Sequence, residues 1–311
     1  MADSETPVTR VALQPSTAAS VPAITTAITD AGARLSEPGD ADALVWVDPY
    51  DPDGLRRTLA DAPGVRWVQL PFAGIENFVD VLDPERFWTC GKGVYADPVA
   101  ELALGLGVAG LRGIGHYARQ DHWSEQRGVN LLGGRITLVG GGGITESFLR
   151  LIRGWDCRVT VVRRQSAAMD GVDRVLGPDR LHESLDGADL VVLALALTPE
   201  TDGLIGAAEL EIMSSHSWIV NVARGRHIVT DDLVAALESG SIGGAGLDVT
   251  EPEPLPADHA LWHLPNCIIT PHVGNTREMA VPLLARRVGE NVRRFIAGEE
   301  LIGPIDLEAG Y

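Results

Sequence analysis

Three residues, far apart in the chain, have the chemistry of an acid–base site that handles a carboxylate. Arg224 stands in Asn221-Val222-Ala223-Arg224-Gly225, Glu253 in Thr250-Glu251-Pro252-Glu253-Pro254, and His272 in Pro271-His272-Val273-Gly274. An arginine can grip a carboxylate through two parallel N–H···O bonds, a geometry that a lysine ammonium does not offer. A histidine titrates near neutrality and can pass a proton to or from an oxygen. A glutamate beside it would stabilise the imidazolium, raise its pKa and fix the ring. Taken singly, each has an ordinary explanation: a surface arginine, an exposed glutamate in a proline-rich turn, a turn histidine bonded to its own backbone. Their common position sets them apart. Each follows an apolar run, 218–222, 245–249 and 267–270, of the kind that forms a buried strand. If those strands are parallel, the three side chains stand along the sheet edge where open α/β sheets bind ligands.

The element that must lie beside them is the segment 134–164. An apolar run at Ile136-Thr137-Leu138-Val139 is followed by four glycines, Gly140 to Gly143, then by helix-compatible residues and a second β-branched run at 159–162. This is one strand–helix–strand unit of about 30 residues. Gly140 and Gly142 fill the first two positions of the G-x-G-x-x-G pattern. The first allows a tight turn, and the second lets backbone approach a pyrophosphate held at the N-terminus of a helix opened by Gly143 and Ile144. Thr145 replaces the third glycine. A dinucleotide alongside the three strand-end residues points to hydride transfer at a carbonyl, with His272 handling the proton and Arg224 orienting a 2-oxo acid.

The whole chain sets bounds on this picture. It has 311 residues, enough for about two domains, and its 45% hydrophobic and 22% charged content is that of a soluble globular protein. No apolar run approaches the roughly 20 residues of a membrane span. The first ten residues lack the basic and apolar regions of a secretory signal. Cys90, Cys157 and Cys267 are far apart, without C-x-x-C spacing, which argues against a disulfide framework or a metal site and suits the cytoplasm. A net charge of −18 opposes binding to nucleic acid or an anionic membrane, so an anionic substrate needs local cations.

Along the chain, strands are expected at 8–13, 43–47, 65–70 and 87–90, with a weakly helical stretch to Ala31 and a helix over 53–60. The loop Pro71-Phe72-Ala73-Gly74 ends the third of these strands. Asp97 is a candidate cap and Pro98 a first-turn residue for an apolar helix over 99–115, which carries five glycines. Each glycine costs a helix about 1 kcal/mol against alanine, so close backbone approach is expected, either within the fold or at a subunit interface. Further strands are expected at 190–195, 218–222, 245–249 and 267–270. Thr230 or Asp231 should cap a helix ending at Gly240, and a long charged helix should run over 276–297. Alternating strands and helices imply parallel sheets covered on both faces.

These motifs together resemble the D-isomer-specific 2-hydroxyacid dehydrogenase family. The resemblance lies in VAELALGL (99–106), the glycine turn, TPETDGLI (198–205), NVARG (221–225), LDVTEPEPLP (247–256) and TPHVG (270–274), in the family's order. It implies an α/β protein of two doubly wound parallel-sheet domains, a Rossmann cofactor domain (98–275) inserted into a smaller flavodoxin-like substrate domain (1–97 plus 276–311), with hinges near Asp97 and Gly274. It gives Arg224, Glu253 and His272 the catalytic roles, with Glu251 a decoy for Glu253. Cofactor contacts are implied at Gly140, Gly142, Gly143, Ile144, Arg163, Arg164, Leu195, Ala196, Val222, Ala223, Asp248 and Gly274. Ala73 and Gly74 resemble the loop whose amides hold the substrate carboxylate, together with Arg224. The family is usually dimeric through the cofactor domain, which favours an interface role for the glycine-rich helix.

Two features refine the expectation. NAD-preferring members carry Asp or Glu about 20 residues past the glycine turn. Here Arg163, Arg164 and Ser166 stand there and suit the 2′-phosphate of NADP, so NADP is favoured over NAD. The turn after the strand at 43–47 carries Asp48, Asp51 and Asp53, poor neighbours for a phosphorylated substrate. Residues 44–46 (LVW), 253–256 (EPLP) and the terminal Gly310-Tyr311 most resemble the glyoxylate/hydroxypyruvate reductase branch. A small unphosphorylated 2-oxo acid and its D-2-hydroxy acid are therefore expected as substrate and product. The alternatives are a 3-phosphoglycerate dehydrogenase-like enzyme, a formate dehydrogenase, and a non-catalytic NAD(H)-sensing scaffold of the corepressor type.

Overall fold

A computed structural model describes residues 8–165 and 167–307; Ser166, Gly310 and Tyr311 lie outside the described residues. The chain divides into two compact units, Met1–Tyr95 with Thr276–Tyr311, and Ala96–Asn275. The first crossing falls at residue 96 because the helix expected to begin near Asp97 starts at Ala96. Asp97 lies inside the first turn. Its carboxylate accepts from Ser147 Oγ (2.7 Å) and Arg150 Nη2 (2.5 Å).

The smaller unit opens with β1 (Arg10–Gln14), α1 (Val21–Asp30), β2 (Arg34–Leu35), β3 (Ala43–Trp46), α2 (Pro52–Ala60), β4 (Trp67–Gln69) and β5 (Phe87–Thr89). Its sheet is parallel throughout, in the order β2-β1-β3-β4-β5, the flavodoxin-like order. β2 was not expected. It is two residues long and exposed at both, so it has no apolar pattern to detect.

The larger unit contains α3 (Ala96–Leu111), α4 (Ile114–Tyr117), β6 (Arg135–Val139), α5 (Gly143–Leu151), β7 (Arg158–Val162), β8 (Arg174–Leu176), α6 (Leu181–Leu185), β9 (Leu190–Leu193), α7 (Ala207–Ile212), β10 (Trp218–Asn221), α8 (Thr230–Ser239), β11 (Gly244–Leu247) and β12 (Cys267–Ile269). All strand pairs are parallel, in the order β12-β11-β10-β9-β6-β7-β8. β9 and β10 are buried at every residue, as strands covered on both faces must be. Two apolar clusters flank the sheet, one including Leu185, Val191, Ile219 and Leu233, the other Ala103, Phe148, Val161 and Trp218. The short elements β8 and α6 escaped the sequence pattern. α8 departs from expectation at its start: Val229 is the N-cap, and Thr230 donates its hydroxyl to the Glu251 carbonyl (2.7 Å) instead of capping.

Three glycines of the helix expected over 99–115, which is divided into α3 and α4, answer to packing within the unit. A Cβ on Gly110 would lie 2.1 Å from the Trp218 ring, one on Gly107 2.8 Å from Leu190, and one on Gly115 2.8 Å from Ile268. These three therefore let the helix approach the sheet. Gly105 differs from them: a Cβ there meets nothing within 4 Å.

The chain returns to the smaller unit in α9 (Arg277–Ala297), whose Leu284, Ala285, Val288 and Val292 pack with α1 residues Ile24 and Ile28. A buried polar network fixes its register. Asn291 Nδ2 donates to Gln69 Oε1 and to the Ile302 carbonyl, both at 2.9 Å, while its Oδ1 accepts from Ile302 N–H (2.8 Å). Gln69 Oε1 also accepts from Thr89 Oγ1 (2.9 Å), which accepts from Trp67 Nε1 (2.8 Å). Substituting Asn291→Leu strands these buried groups. The expected cost is about 2–4 kcal/mol in urea unfolding, against under about 1 kcal/mol for an exposed α9 position.

Candidate active site

In the larger unit the chain runs from β6 outward to β8 and then returns to β9 on the other side of β6. The crevice at such a reversal lies outside the C-terminal ends of the two strands. The glycine turn sits there. Gly140 has φ +112°, and a Cβ on it would lie 2.1 Å from the Ala194 carbonyl oxygen at the end of β9. No other residue would let the two strand ends meet this closely. Gly142 is different: a Cβ there meets nothing within 4 Å. Open space stands over the N-terminus of α5, where the amides of Gly143 and Ile144 precede the first intrahelical bond, Glu146 N–H to the Gly142 carbonyl. Exposed backbone, a helix N-terminus and a free approach fit the pyrophosphate of a dinucleotide. Thr145 does not push the helix away. It is buried, and its hydroxyl donates to the Gly140 carbonyl (2.7 Å), bracing the turn from beneath.

Neighbouring strand ends carry the polar residues. Asp248, 3% exposed, follows β11. Its Oδ1 accepts from Thr270 Oγ1 (2.6 Å) and Val273 N–H (2.8 Å), and its Oδ2 from Gly274 N–H (2.8 Å). These bonds fold the segment after β12 around one carboxylate. His272, in the middle of it, has φ +51°. That left-handed conformation costs a non-glycine residue on the order of 1 kcal/mol and is held only by such surroundings. The His272 N–H donates to the Asp248 carbonyl (2.8 Å), and Nδ1 lies 2.6 Å from Glu253 Oε1. Glu253, not Glu251, is thus the carboxylate on the histidine. With Nδ1 engaged and the ring 53% exposed, Nε2 is left to face a reactant.

Arg224 follows β10 in a turn tied by its own residues. Asn221 Nδ2 donates to the Arg224 carbonyl (2.8 Å), and Asn221 Oδ1 accepts from Ala223 N–H (3.1 Å). A Cβ on Gly225 would lie 2.0 Å from the Thr250 carbonyl oxygen, so this glycine brings the Arg224 turn against the segment leading to Glu253. Val222 and Ala223 are buried beside it.

The other expected residues fall into three places. Leu195 and Ala196 lie just past β9, adjoining Ala194. Arg163 follows β7, with its stem against Gly141 and its guanidinium donating to the carbonyls of Gln165 (2.6 Å) and Ala167 (2.8 Å). Arg164 lies near enough to Glu200 to help hold that carboxyl below its usual value, after the larger effect of the Thr198 hydrogen bond. Ala73 and Gly74 belong to the smaller unit. Their loop is braced there by the Tyr95 hydroxyl, which donates to the Pro71 carbonyl (2.7 Å). Sequence reasoning passed over Asn221 and His227. Both sit within the NVARG–RH run, but no pattern in the chain tells a buried polar residue there from an exposed one.

Asp248→Ala removes the acceptor of three hydrogen bonds. The expected result is faster amide exchange at Val273 and Gly274 by NMR, and kcat/KM reduced by about 100-fold or more, since misplacement of an acid–base group by about 1 Å costs that much.

The comparisons agree with this geometry. A family model described as D-isomer specific 2-hydroxyacid dehydrogenase, NAD binding domain, matches residues 104–274. An uncharacterized protein of Corynebacterium melassecola is 34% identical over 298 residues, covering 92% of this chain and 96% of its own. A glyoxylate/hydroxypyruvate reductase A of Photorhabdus laumondii subsp. laumondii is 27% identical over 284 residues, 86% of this chain and 87% of that one. A D-isomer specific 2-hydroxyacid dehydrogenase from Xanthobacter autotrophicus Py2, solved in complex with NADPH and MES, has a TM-score of 0.83 at 25% identity, covering 98% of this chain and 100% of the other. A glycine turn at the sheet reversal, a histidine held by a glutamate at a neighbouring strand end, and a family match over more than half of the chain have one common explanation: the protein belongs to the D-isomer-specific 2-hydroxyacid dehydrogenases, an NAD(P)-dependent family of oxidoreductases.

Proposed function

We propose that this protein reduces a small, unphosphorylated 2-oxo acid of the glyoxylate or hydroxypyruvate type to its D-2-hydroxy acid, with NADPH preferred to NADH. The observation that carries this is the His272–Glu253 pair, 2.6 Å apart, on a loop fixed in a left-handed conformation beside the glycine turn's sheet edge. A nicotinamide held at the glycine turn would supply the hydride for the carbonyl carbon. His272 Nε2 gives a proton to the carbonyl oxygen, and takes it back in the oxidative direction. Glu253 holds the ring through Nδ1. Arg224 binds the substrate carboxylate and polarises the carbonyl. In the smaller unit, the backbone amides of Ala73 and Gly74 are assigned to a substrate carboxylate. Gly140, Gly142, Gly143 and Ile144 cradle the pyrophosphate, while Leu195, Ala196, Val222, Ala223, Asp248 and Gly274 border the remainder of the cofactor.

Several observations support the finer points. The relatives named glyoxylate/hydroxypyruvate reductase A favour a short substrate. In the smaller unit Asp51 caps α2, and Asp53 and Asp51 pair with Arg56 and Arg57, so the arginines nearest the turn after β3 are engaged by neighbouring carboxylates. For the cofactor, Arg163 and Arg164 both follow β7, where two cations suit the 2′-phosphate of NADP, and the Arg163 guanidinium also closes the loop on the carbonyls of Gln165 and Ala167. The NADPH in the Xanthobacter relative is in keeping with this. We further assign a cytoplasmic homodimer formed through the larger unit, whose fully exposed Trp123 and exposed Leu132 and Val129 give an apolar surface suited to a second copy.

The test is a spectrophotometric screen of 2-oxo acids with NADPH and NADH. Glyoxylate or hydroxypyruvate should be turned over, with kcat/KM at least about tenfold higher for NADPH. Arg163→Asp with Arg164→Ala should narrow that gap; equal use of both cofactors by the wild type refutes the preference. His272→Asn should abolish turnover, by about 100-fold or more, while NADPH affinity stays near wild type. Retained turnover removes His272 from the chemistry.

A further inference from the structure

His227 is an ionisable residue that the chemistry above does not use, and it has no exposed surface. It closes the short helical turn Gly225–His227, three positions after Arg224. Both ring nitrogens face carbonyl oxygens of the loop that follows β9: Nδ1 lies 2.9 Å from Thr201 O, and Nε2 3.3 Å from Leu195 O. The two loops are also joined further out. Gly203 N–H donates to the Arg226 carbonyl (2.8 Å), Ile205 N–H donates to the His227 carbonyl (2.9 Å), and Arg226 pairs with Asp202. Those contacts reach only residues 202–205. The imidazole extends the tie inward to Leu195, next to the Ala194 carbonyl that Gly140 touches.

We propose that His227 is a positioning residue that sets the Arg224 turn against the Leu195–Ala196 ledge, and so fixes the substrate-binding cation relative to the cofactor. This rests on the assignment of Arg224 to the 2-oxo acid and of Leu195–Ala196 to the cofactor. The chemistry of the ring gives the tie a distinctive property. A neutral imidazole has one N–H and can donate to only one of the two carbonyls, whereas the cation donates to both. Burial pushes His227 below its ordinary value, against the two carbonyls that favour the charged form; of the charges acting on it, Arg224 disfavours the cation and Asp202, itself paired with Arg226, favours it. The folded-state value is therefore depressed relative to the unfolded chain. The folding stability tied to this group is fully present above the ordinary histidine value of 6.5 and is lost as the pH falls from there toward the folded-state value.

The experiment compares His227→Leu and His227→Asn with wild type. Asn retains a donor toward Thr201, and Leu retains none. For His227→Leu, the KM for the 2-oxo acid and the Kd for NADPH should each rise by about tenfold, the worth of one buried hydrogen bond, and His227→Asn should recover most of this. Hydrogen–deuterium exchange should speed up in 195–203 and 222–229 of the Leu variant alone. The loss of thermal stability below pH 6.5 should be smaller in both variants than in wild type. A His227→Leu protein that is only less stable, with wild-type KM, Kd and exchange in these loops, overturns the proposal. If it fails to fold, His227→Gln, which keeps a donor toward Leu195, decides by the same constants and the same criterion. If the wild type reduces no 2-oxo acid, the proposed function fails by itself, and NADPH affinity and loop exchange still decide the role of His227.

Discussion

The carboxylate of Asp248 is the constraint on which the acid–base end of this protein depends. Buried at the end of β11, it collects the Thr270 hydroxyl and the amides of Val273 and Gly274, and so bends the chain leaving β12 back across its neighbour. A carboxylate buried this deeply must be satisfied by hydrogen bonds, and the loop that follows β12 supplies the donors. Satisfying it forces His272 into the left-handed region, which aims the ring at Glu253. The strain at one residue is the consequence of bonds made by three others.

A second close contact organises the cofactor end. Gly140 brings the turn after β6 onto the carbonyl of Ala194, so the two strands on either side of the sheet reversal meet without a side chain between them. Thr145, standing where a third glycine would be expected, bonds to the Gly140 carbonyl and locks the turn while leaving Gly142 open. Charge is placed with the same economy. In a chain of net charge −18, Arg224 at one strand end and Arg163 and Arg164 at another are the cations proposed to hold anions. Long-range attraction of anions is weak for such a chain, so selectivity falls to these local groups.

Legibility in the sequence followed element size and burial. The fully buried strands β9 and β10 and the strand–helix–strand unit around the glycine turn were recognisable because a two-faced buried strand is a run of apolar residues. β2, β8 and α6 were not, since elements of two to five residues carry too little periodicity. The glycines of α3 announced a close approach without naming the partner. Only the fold shows that Leu190 and Trp218 fill the space beside Gly107 and Gly110, and Ile268 that beside Gly115 of α4. Thr230 satisfied every local rule for a cap, yet its hydroxyl is taken by Glu251 from another strand end.

The sequence by itself determined the family and the strand ends at which the proposed site residues stand. Residue types, their place directly after apolar runs, and the glycine turn depend on local chain properties that are written in order along the chain. Tertiary structure decided the rest: that Asp248 binds the loop that carries the histidine, that Thr145 braces the glycine turn, that Arg163 bonds to its own loop, and that His227 is buried between two strand ends. Each of these is a hydrogen bond or close contact between groups that folding alone brings together, and a linear pattern holds no information about which of two equally plausible partners wins the geometry.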